Sequence, residues 1–315
     1  MKYFKVILLI FFMLCIASCS VQEPSDKTEI PIPTITPTVD FTPEPTSTLL
    51  PITFTKEEFP KLDGSTANIP LGTAIIQKLL NVSQDEADLL CEFNTTADSY
   101  INLVEKKTDL LLVYEASEKT KEDLSKAKEE LEYYPIGLDA LVFICNETNP
   151  VKTLTTKQIQ DIYTGNIKNW KDVGGEDKVI EAFQRDETSG SQTLMQKLMM
   201  KDLKMTKPKE DYKPGTMGGL ISSIAEYNNT SNALGYSVFY YAKNMYTKPG
   251  LTFMGVDGVL PSNETIKDGT YKYTNEFYAV IRKSEPADSP TRKLLEWILS
   301  NEGKKIIEEA GYVAK

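Results

Sequence analysis

Phe183-Gln184-Arg185-Asp186-Glu187-Thr188-Ser189-Gly190-Ser191-Gln192-Thr193 reads as the end of a strand, a turn and the start of a helix. Val179 to Gln184 predicts the strand, and Ser189 to Leu203 predicts a helix with a hydroxyl at its start. Glycine lets the backbone approach whatever occupies the turn, while a helix start offers free N–H groups. Together with a guanidinium and hydroxyls, these are the donors that a tetrahedral oxyanion requires. Two turns further upstream are built alike. Asp63-Gly64-Ser65-Thr66 precedes a helix predicted over Ile69 to Leu80, and Asn94-Thr95-Thr96-Ala97-Asp98-Ser99 opens one predicted over Asp98 to Lys107. One such turn is an ordinary capped helix start, but three in one chain point to a shared anion site.

Outward from these turns, apolar β-prone segments alternate with amphipathic ones from about Thr55 onward, the pattern of an α/β fold. Strands are expected over Asp109 to Tyr114, Leu138 to Cys145, Ala233 to Tyr241 and Phe277 to Arg282. Helices are expected over Ser117 to Leu131, Thr155 to Gly165, Leu220 to Tyr227, Ser289 to Leu299 and Gly303 to Ala310. Asp85-Glu86-Ala87-Asp88 spells a helicase box, but without a phosphate loop it reads as a solvated helix face. Ser189-Gly190-Ser191 is not a nucleophile elbow.

The chain of 315 residues carries 35 basic and 45 acidic side chains, a formal net charge of −10, and no histidine. Nucleic-acid binding, which needs a basic face, is excluded by that balance. Without imidazole there is no Ser-His-Asp or Cys-His machinery and no His-ligated zinc. Binding without catalysis, cofactor or metal is therefore the expectation, with few protein groups titrating between about pH 6 and 8. A carboxylate-based hydrolase would need two facing acids, and Glu115, Asp186 and Glu187 show no sign of such a pair.

The first residues indicate export. Lys2 and Lys5 precede an apolar run of twelve, Val6 to Ala17, too short for the roughly 20 residues of a membrane span but suited to a signal peptide. Ile16-Ala17-Ser18-Cys19 resembles the bacterial lipobox, which makes residues 1–18 a signal peptide and Cys19 the lipidated N-terminus. Loss of two lysines takes the formal charge from −10 to −12. Val21 to Ile52 holds seven prolines and seven threonines, so residues 19–54 are expected to form an extended tether reaching on the order of 100 Å. Cys91 and Cys145 remain, either as a disulfide or as buried small hydrophobes.

Thr155-Thr156-Lys157-Gln158-Ile159-Gln160-Asp161-Ile162-Tyr163-Thr164-Gly165-Asn166-Ile167-Lys168-Asn169-Trp170-Lys171-Asp172-Val173-Gly174-Gly175, running on to Arg185 and Ser189-Gly190-Ser191, resembles the signature of the phosphate-binding proteins of phosphate ABC transporters. Asp63-Gly64-Ser65-Thr66 and Leu234-Gly235-Tyr236-Ser237 are similar to other blocks of that family, and the likeness covers about residues 58 to 312. It implies a two-lobed type II periplasmic-binding-protein fold with a ligand cleft: lobe 1 from 55–143 plus 245–315, lobe 2 from 144–244, with crossings near Leu141 to Asn146 and Tyr236 to Asn244. The resemblance further implies ligand contacts from Ser65 and Thr66, from Thr95 or Thr96, and from Arg185, Ser189, Gly190 and Ser191. Glu115 stands where the family has an aspartate that accepts a hydrogen bond from a protonated phosphate oxygen, and is one methylene longer. The expected partners are phosphate or a similar oxyanion, an ABC permease, and the membrane through the lipid on Cys19. The expected state is a monomeric, extracytoplasmic lipoprotein, the rival being a membrane-anchored sensor with altered or lost anion binding.

Overall fold

A computed structural model describes residues 52–208, 213–226 and 232–315. The expected signal peptide, Cys19, the tether up to residue 51 and Tyr227 lie outside the described residues.

Nine strands of the described residues form one mixed sheet: β1 Leu62–Gly64, β2 Leu110–Val113, β3 Leu131–Asn146, β4 Thr153–Leu154, β5 Glu181–Ala182, β6 Ala233–Val238, β7 Leu251–Val256, β8 Thr274–Arg282 and β9 Val313–Ala314. Its main path runs β1-β2-β8-β3-β6-β5. The long β3 is common to both ends, because Leu131 to Ala140 pair with β8 whereas Leu141 to Cys145 pair with β6. The fold is therefore α/β, with two groups of strands sharing one element.

Each short apolar run becomes a strand by burying both faces. Leu110 and Leu112 enter the main core, while Leu111 and Val113 join Tyr100, Leu103, Ala116 and Val280 in a smaller cluster behind the sheet. That is the period-2 alternation of a strand covered on both sides. Gly64 is required in β1, since a Cβ there would run into the Leu112 carbonyl. Among the described residues ten α-helices pack around the sheet, including α1 Ile69–Leu80, α2 Gln84–Leu90, α3 Thr96–Val104, α4 Glu118–Ser125, α5 Thr156–Tyr163, α6 Gly190–Leu194 and α7 Met217–Glu226.

Several expected boundaries move. The helix expected to reach Leu131 ends at Ser125, and Leu131 instead opens β3, where pairing with β8 overrides the helical spacing. Pro135 lacks a donor, and the register shifts between Pro135 and Gly137. The strand expected over 179–184 is reduced to β5 plus an isolated bridge from Val179 to Asn169. The helix expected over 189–203 is α6 continued by a π-helical turn, Met195–Met200. β6 stops at Val238, three residues short of the expected end at Tyr241, and Tyr241–Met245 form a second π turn. β7 falls in the stretch assigned to lobe 1, yet it pairs with the β6-bearing end of β3 and with β4. Asp85 to Asp88 do lie on a short helix, α2, with Ala87 turned inward. Cys91 and Cys145 are separate buried thiols, and burial pushes each up to about 12.

Candidate functional site

A cavity of about 540 Å³ opens between the C-terminal ends of β1 and β2 on one side and the start of α6 on the other. Ser65, Thr66, Thr95, Thr96, Arg185, Ser189, Gly190 and Ser191 all line it, so the three turns singled out in the sequence converge. Tyr114, Val238, Met217 and Tyr241 complete much of the wall.

On the β1 and β2 side, Ser65 and Thr96 are buried and share a hydrogen bond between their hydroxyls at 2.8 Å. The Tyr114 N–H donates to Ser65 Oγ at 3.1 Å. Two hydroxyls that bond to each other use one of their two protons, so whichever way that bond points, one O–H remains for a ligand. Thr95 caps α3, accepting from the Asp98 N–H at 3.2 Å and donating to its carboxylate at 2.8 Å.

On the facing side, Ser189 caps α6 and accepts from the Gln192 N–H at 3.3 Å. The amides of the helix's first turn are the donors that an α-helix leaves free. Gly190 keeps the walls close, because a Cβ there would lie 3.0 Å from Thr96 Oγ1 and 3.5 Å from the Tyr114 ring. Ser191 Oγ is buried and has no hydrogen-bond partner among the described residues.

Arg185 is only 7% exposed, and its backbone is held from behind. Its N–H donates to Tyr236 Oη at 3.2 Å, and Tyr236 donates in turn to Gln192 Oε1. Among the described residues the guanidinium makes one protein hydrogen bond, to the Gly215 carbonyl at 3.1 Å, and its Nε is buried without a partner. Among the described residues no carboxylate reaches it, since neighbouring Asp186 pairs with Lys213 at 2.8 Å. Burial pulls the guanidinium below its ordinary pKa. A desolvated, unpaired cation beside an orphaned hydroxyl calls for an anion.

Glu115 is not part of the cavity wall. Its carboxylate is taken by Lys121 at 2.8 Å and by Lys197. Burial raises its pKa, but the hydrogen bonds and charge of the two lysines outweigh this and hold it below the ordinary value. The cause is parity: Tyr114 follows Leu112 toward the cavity side, and residue 115 follows Val113 to the opposite face.

Sequence reasoning missed Tyr114, whose hydroxyl donates to Asp139 Oδ2 at 2.5 Å. Asp139 also accepts from the N–H groups of Ala140 at 2.7 Å and Tyr240 at 3.1 Å. Burial raises this carboxyl to about 6, so a protein group directly behind the wall does titrate at the edge of neutrality. The only prior signal was a charged residue inside an apolar strand pattern.

Residues 64–302 match a family model described as a PBP superfamily domain. The chain is similar to the "Phosphate-binding protein PstS" of Borreliella burgdorferi, 27% identical over 198 residues that make up 62% of this chain and 68% of that one. It is also similar to the protein of that name from Bacillus subtilis, 25% identical over 253 residues, 80% of this chain and 79% of that one. Among solved structures, a candidate phosphate ABC transporter substrate-binding protein from Clostridium perfringens, crystallised with bound phosphate, superposes with a TM-score of 0.64 at 26% identity, covering 81% of this chain and 98% of that one. An ABC-type phosphate transport receptor from Vibrio cholerae, 21% identical with a TM-score of 0.58 over 80% of this chain and 98% of that one, shares the fold.

Proposed function

The chain belongs to the PBP superfamily, and from that premise we propose that it is an extracytoplasmic solute-binding protein that captures phosphate, or a similar tetrahedral oxyanion, and hands it to an ABC importer. The observation that carries this reading is Arg185, a buried guanidinium with Nε unpartnered and no carboxylate in reach among the described residues, beside the unpartnered Ser191 Oγ. An anion placed between them completes an ion pair that the protein leaves open. Around it, Ser189 and Ser191, the amides of the first turn of α6, and the spare proton of the Ser65 and Thr96 pair supply further donors, while Thr95, whose hydroxyl proton goes to Asp98, lines the wall without adding one. The protein performs no chemistry in this scheme. It replaces the ion's hydration shell with fixed donors as the walls close.

In this reading one lobe is built on β1, β2 and β8 and the other on β5, β6 and β7, with β3 running through both. Residues 1–18 are removed on export and Cys19 carries lipid, so that the Pro- and Thr-rich segment tethers a monomeric binding domain to the outside of the cell membrane. A sensor with a lost anion site is not favoured, because Glu115, which together with the long tether suggested it, lies away from the cavity. Calorimetric titration of phosphate-stripped protein with phosphate tests the proposal. Saturable binding of one ion per chain below millimolar concentration is expected, and no heat up to millimolar phosphate would reject it.

A further inference from the structure

We propose that Asp63 is the positioning residue of this anion site: a buried carboxylate, outside the cavity wall, that sets the spacing of two of its three hydroxyl turns by binding both. Asp63 is 2% exposed. Its Oδ1 accepts from the backbone N–H of Gly64 at 2.7 Å and of Asn94 at 2.8 Å. Oδ2 accepts from the side-chain amides of Asn94 at 2.8 Å and Asn102 at 2.9 Å. No cation pairs with it among the described residues, so these N–H groups carry the whole compensation of its charge.

The donors come from separate parts of the chain. Gly64 belongs to the Ser65 turn, Asn94 to the turn that opens α3, and Asn102 to α3 itself. One carboxylate thereby fixes the end of β1 to the start of α3 across 31 and 39 residues of sequence. The ligand-side contacts between the same two turns follow from that placement: Ser65 Oγ to Thr96 Oγ1 at 2.8 Å and Thr66 Oγ1 to the Asn94 carbonyl at 3.4 Å. Asp63 also engages the Gly64 and Asn94 amides, which are therefore not offered to the cavity. With Asn94 and Asn102 both donating, the cluster is built for an acceptor-only group: an asparagine would bring an NH2 group against those amides, donor facing donor, and would fit only if they turned over.

The ligand in this inference rests on the phosphate reading, but the clip does not, and the test separates them. Asp63→Asn is expected to weaken phosphate binding roughly ten- to hundredfold, the loss of one or more hydrogen bonds to a charged group. Asp63→Asn/Asn102→Asp, which returns a carboxylate to the cluster from the other side, should recover at least part of that affinity. Asn102→Ala, which removes one donor and keeps the fold, should cost severalfold. Hydrogen exchange without ligand should show faster exchange in peptides covering 62–68 and 93–100 in Asp63→Asn. Wild-type affinity for phosphate in Asp63→Asn, measured well below its melting midpoint, would overturn the proposal, as would a double variant no better than the single one. If wild type itself does not bind phosphate, the phosphate reading fails, and the exchange result alone decides the clip: unchanged protection in both peptides overturns it and lost protection supports it.

Discussion

Replacing Arg185 by methionine is expected to move binding and stability in opposite directions. In the free protein the guanidinium is 7% exposed, keeps one hydrogen bond, to the Gly215 carbonyl, and has no anionic partner among the described residues. Methionine fills a similar volume and forfeits that bond, worth about 1 kcal/mol. It also abolishes the desolvation of an unpaired ion, which costs several kcal/mol. The phosphate-free variant should therefore be as stable as wild type or more so, by up to about 3 kcal/mol. For a domain of this size the midpoint rises by roughly 2–4 °C per kcal/mol. With phosphate the sign reverses. Two charge-assisted hydrogen bonds at about 1.5–3 kcal/mol each correspond to a loss in affinity of roughly 10²- to 10⁴-fold. At phosphate about 1,000 times the wild-type Kd, ligand adds about 4 kcal/mol to wild type. If the variant's Kd is about 1,000-fold weaker, the same phosphate adds only about 0.4 kcal/mol. Differential scanning calorimetry of stripped protein, with and without phosphate, reads both effects. A variant that is less stable without phosphate yet keeps the wild-type shift on adding it would refute the assignment of Arg185 to the anion.

Ser191→Ala removes a buried hydroxyl that has no protein partner, so phosphate affinity should fall roughly ten- to hundredfold while the phosphate-free melting midpoint holds or rises. A drop in midpoint at unchanged affinity would show that the hydroxyl serves the fold. Glu115→Gln should leave phosphate affinity within about twofold, since its lysine partners are half exposed and such pairs are worth about 1 kcal/mol or less. A tenfold change in calorimetry would return Glu115 to the ligand. Asp139 carries a pH signature. Its carboxyl is raised from 3.8 to about 6, so the folded state holds this proton more tightly than the unfolded chain does. Its contribution is most favourable below about pH 4, declines as pH rises, and is lost above about pH 6. Over that window wild type should lose about 3 kcal/mol relative to Asp139→Asn, at 1.36 kcal/mol per pKa unit. Urea unfolding of both proteins from pH 4 to 7 measures the difference, and a constant gap would contradict the buried, ionising carboxyl.

The parts of the site that were legible in the sequence are those written locally. Ser65, Thr95 and Ser189 stand at starts of helical turns, and Thr95 and Ser189 act as caps in ways that depend only on the next three residues. Their convergence followed from counting such turns in an α/β chain. Asp63 was visible as a letter in a motif, but its role depends on Asn94 and Asn102, and no local rule links them. Glu115 was misplaced for a reason the sequence did contain. Leu110 to Tyr114 alternate between two cores, and one step further along the strand reverses the face. The start of β3 was misread because Leu131-Glu132-Tyr133-Tyr134 follows a charged helix. Its partner, β8, begins at Thr274, more than a hundred residues away.

The same distinction bears on how a chain of net charge −10 can hold an anion. The carboxylates around the cavity are answered before any ligand arrives. Asp63 accepts its N–H groups, Asp139 accepts from Tyr114 Oη and two backbone amides, Asp186 faces Lys213, Asp123 faces Lys126, and Glu115 faces Lys121 and Lys197. Among the described residues Arg185 is left without such an answer. Exposed charges beyond about 8–10 Å are screened at physiological ionic strength, whereas a buried guanidinium acts at close range in a poorly screened site. The acidic surface therefore sets little of the affinity, and the pairing pattern within the cavity's first few ångströms sets most of it. On that argument, raising salt should change phosphate affinity far less than breaking the Asp186 to Lys213 pair, because a freed Asp186 carboxylate could turn to Arg185 and compete with the ligand for it.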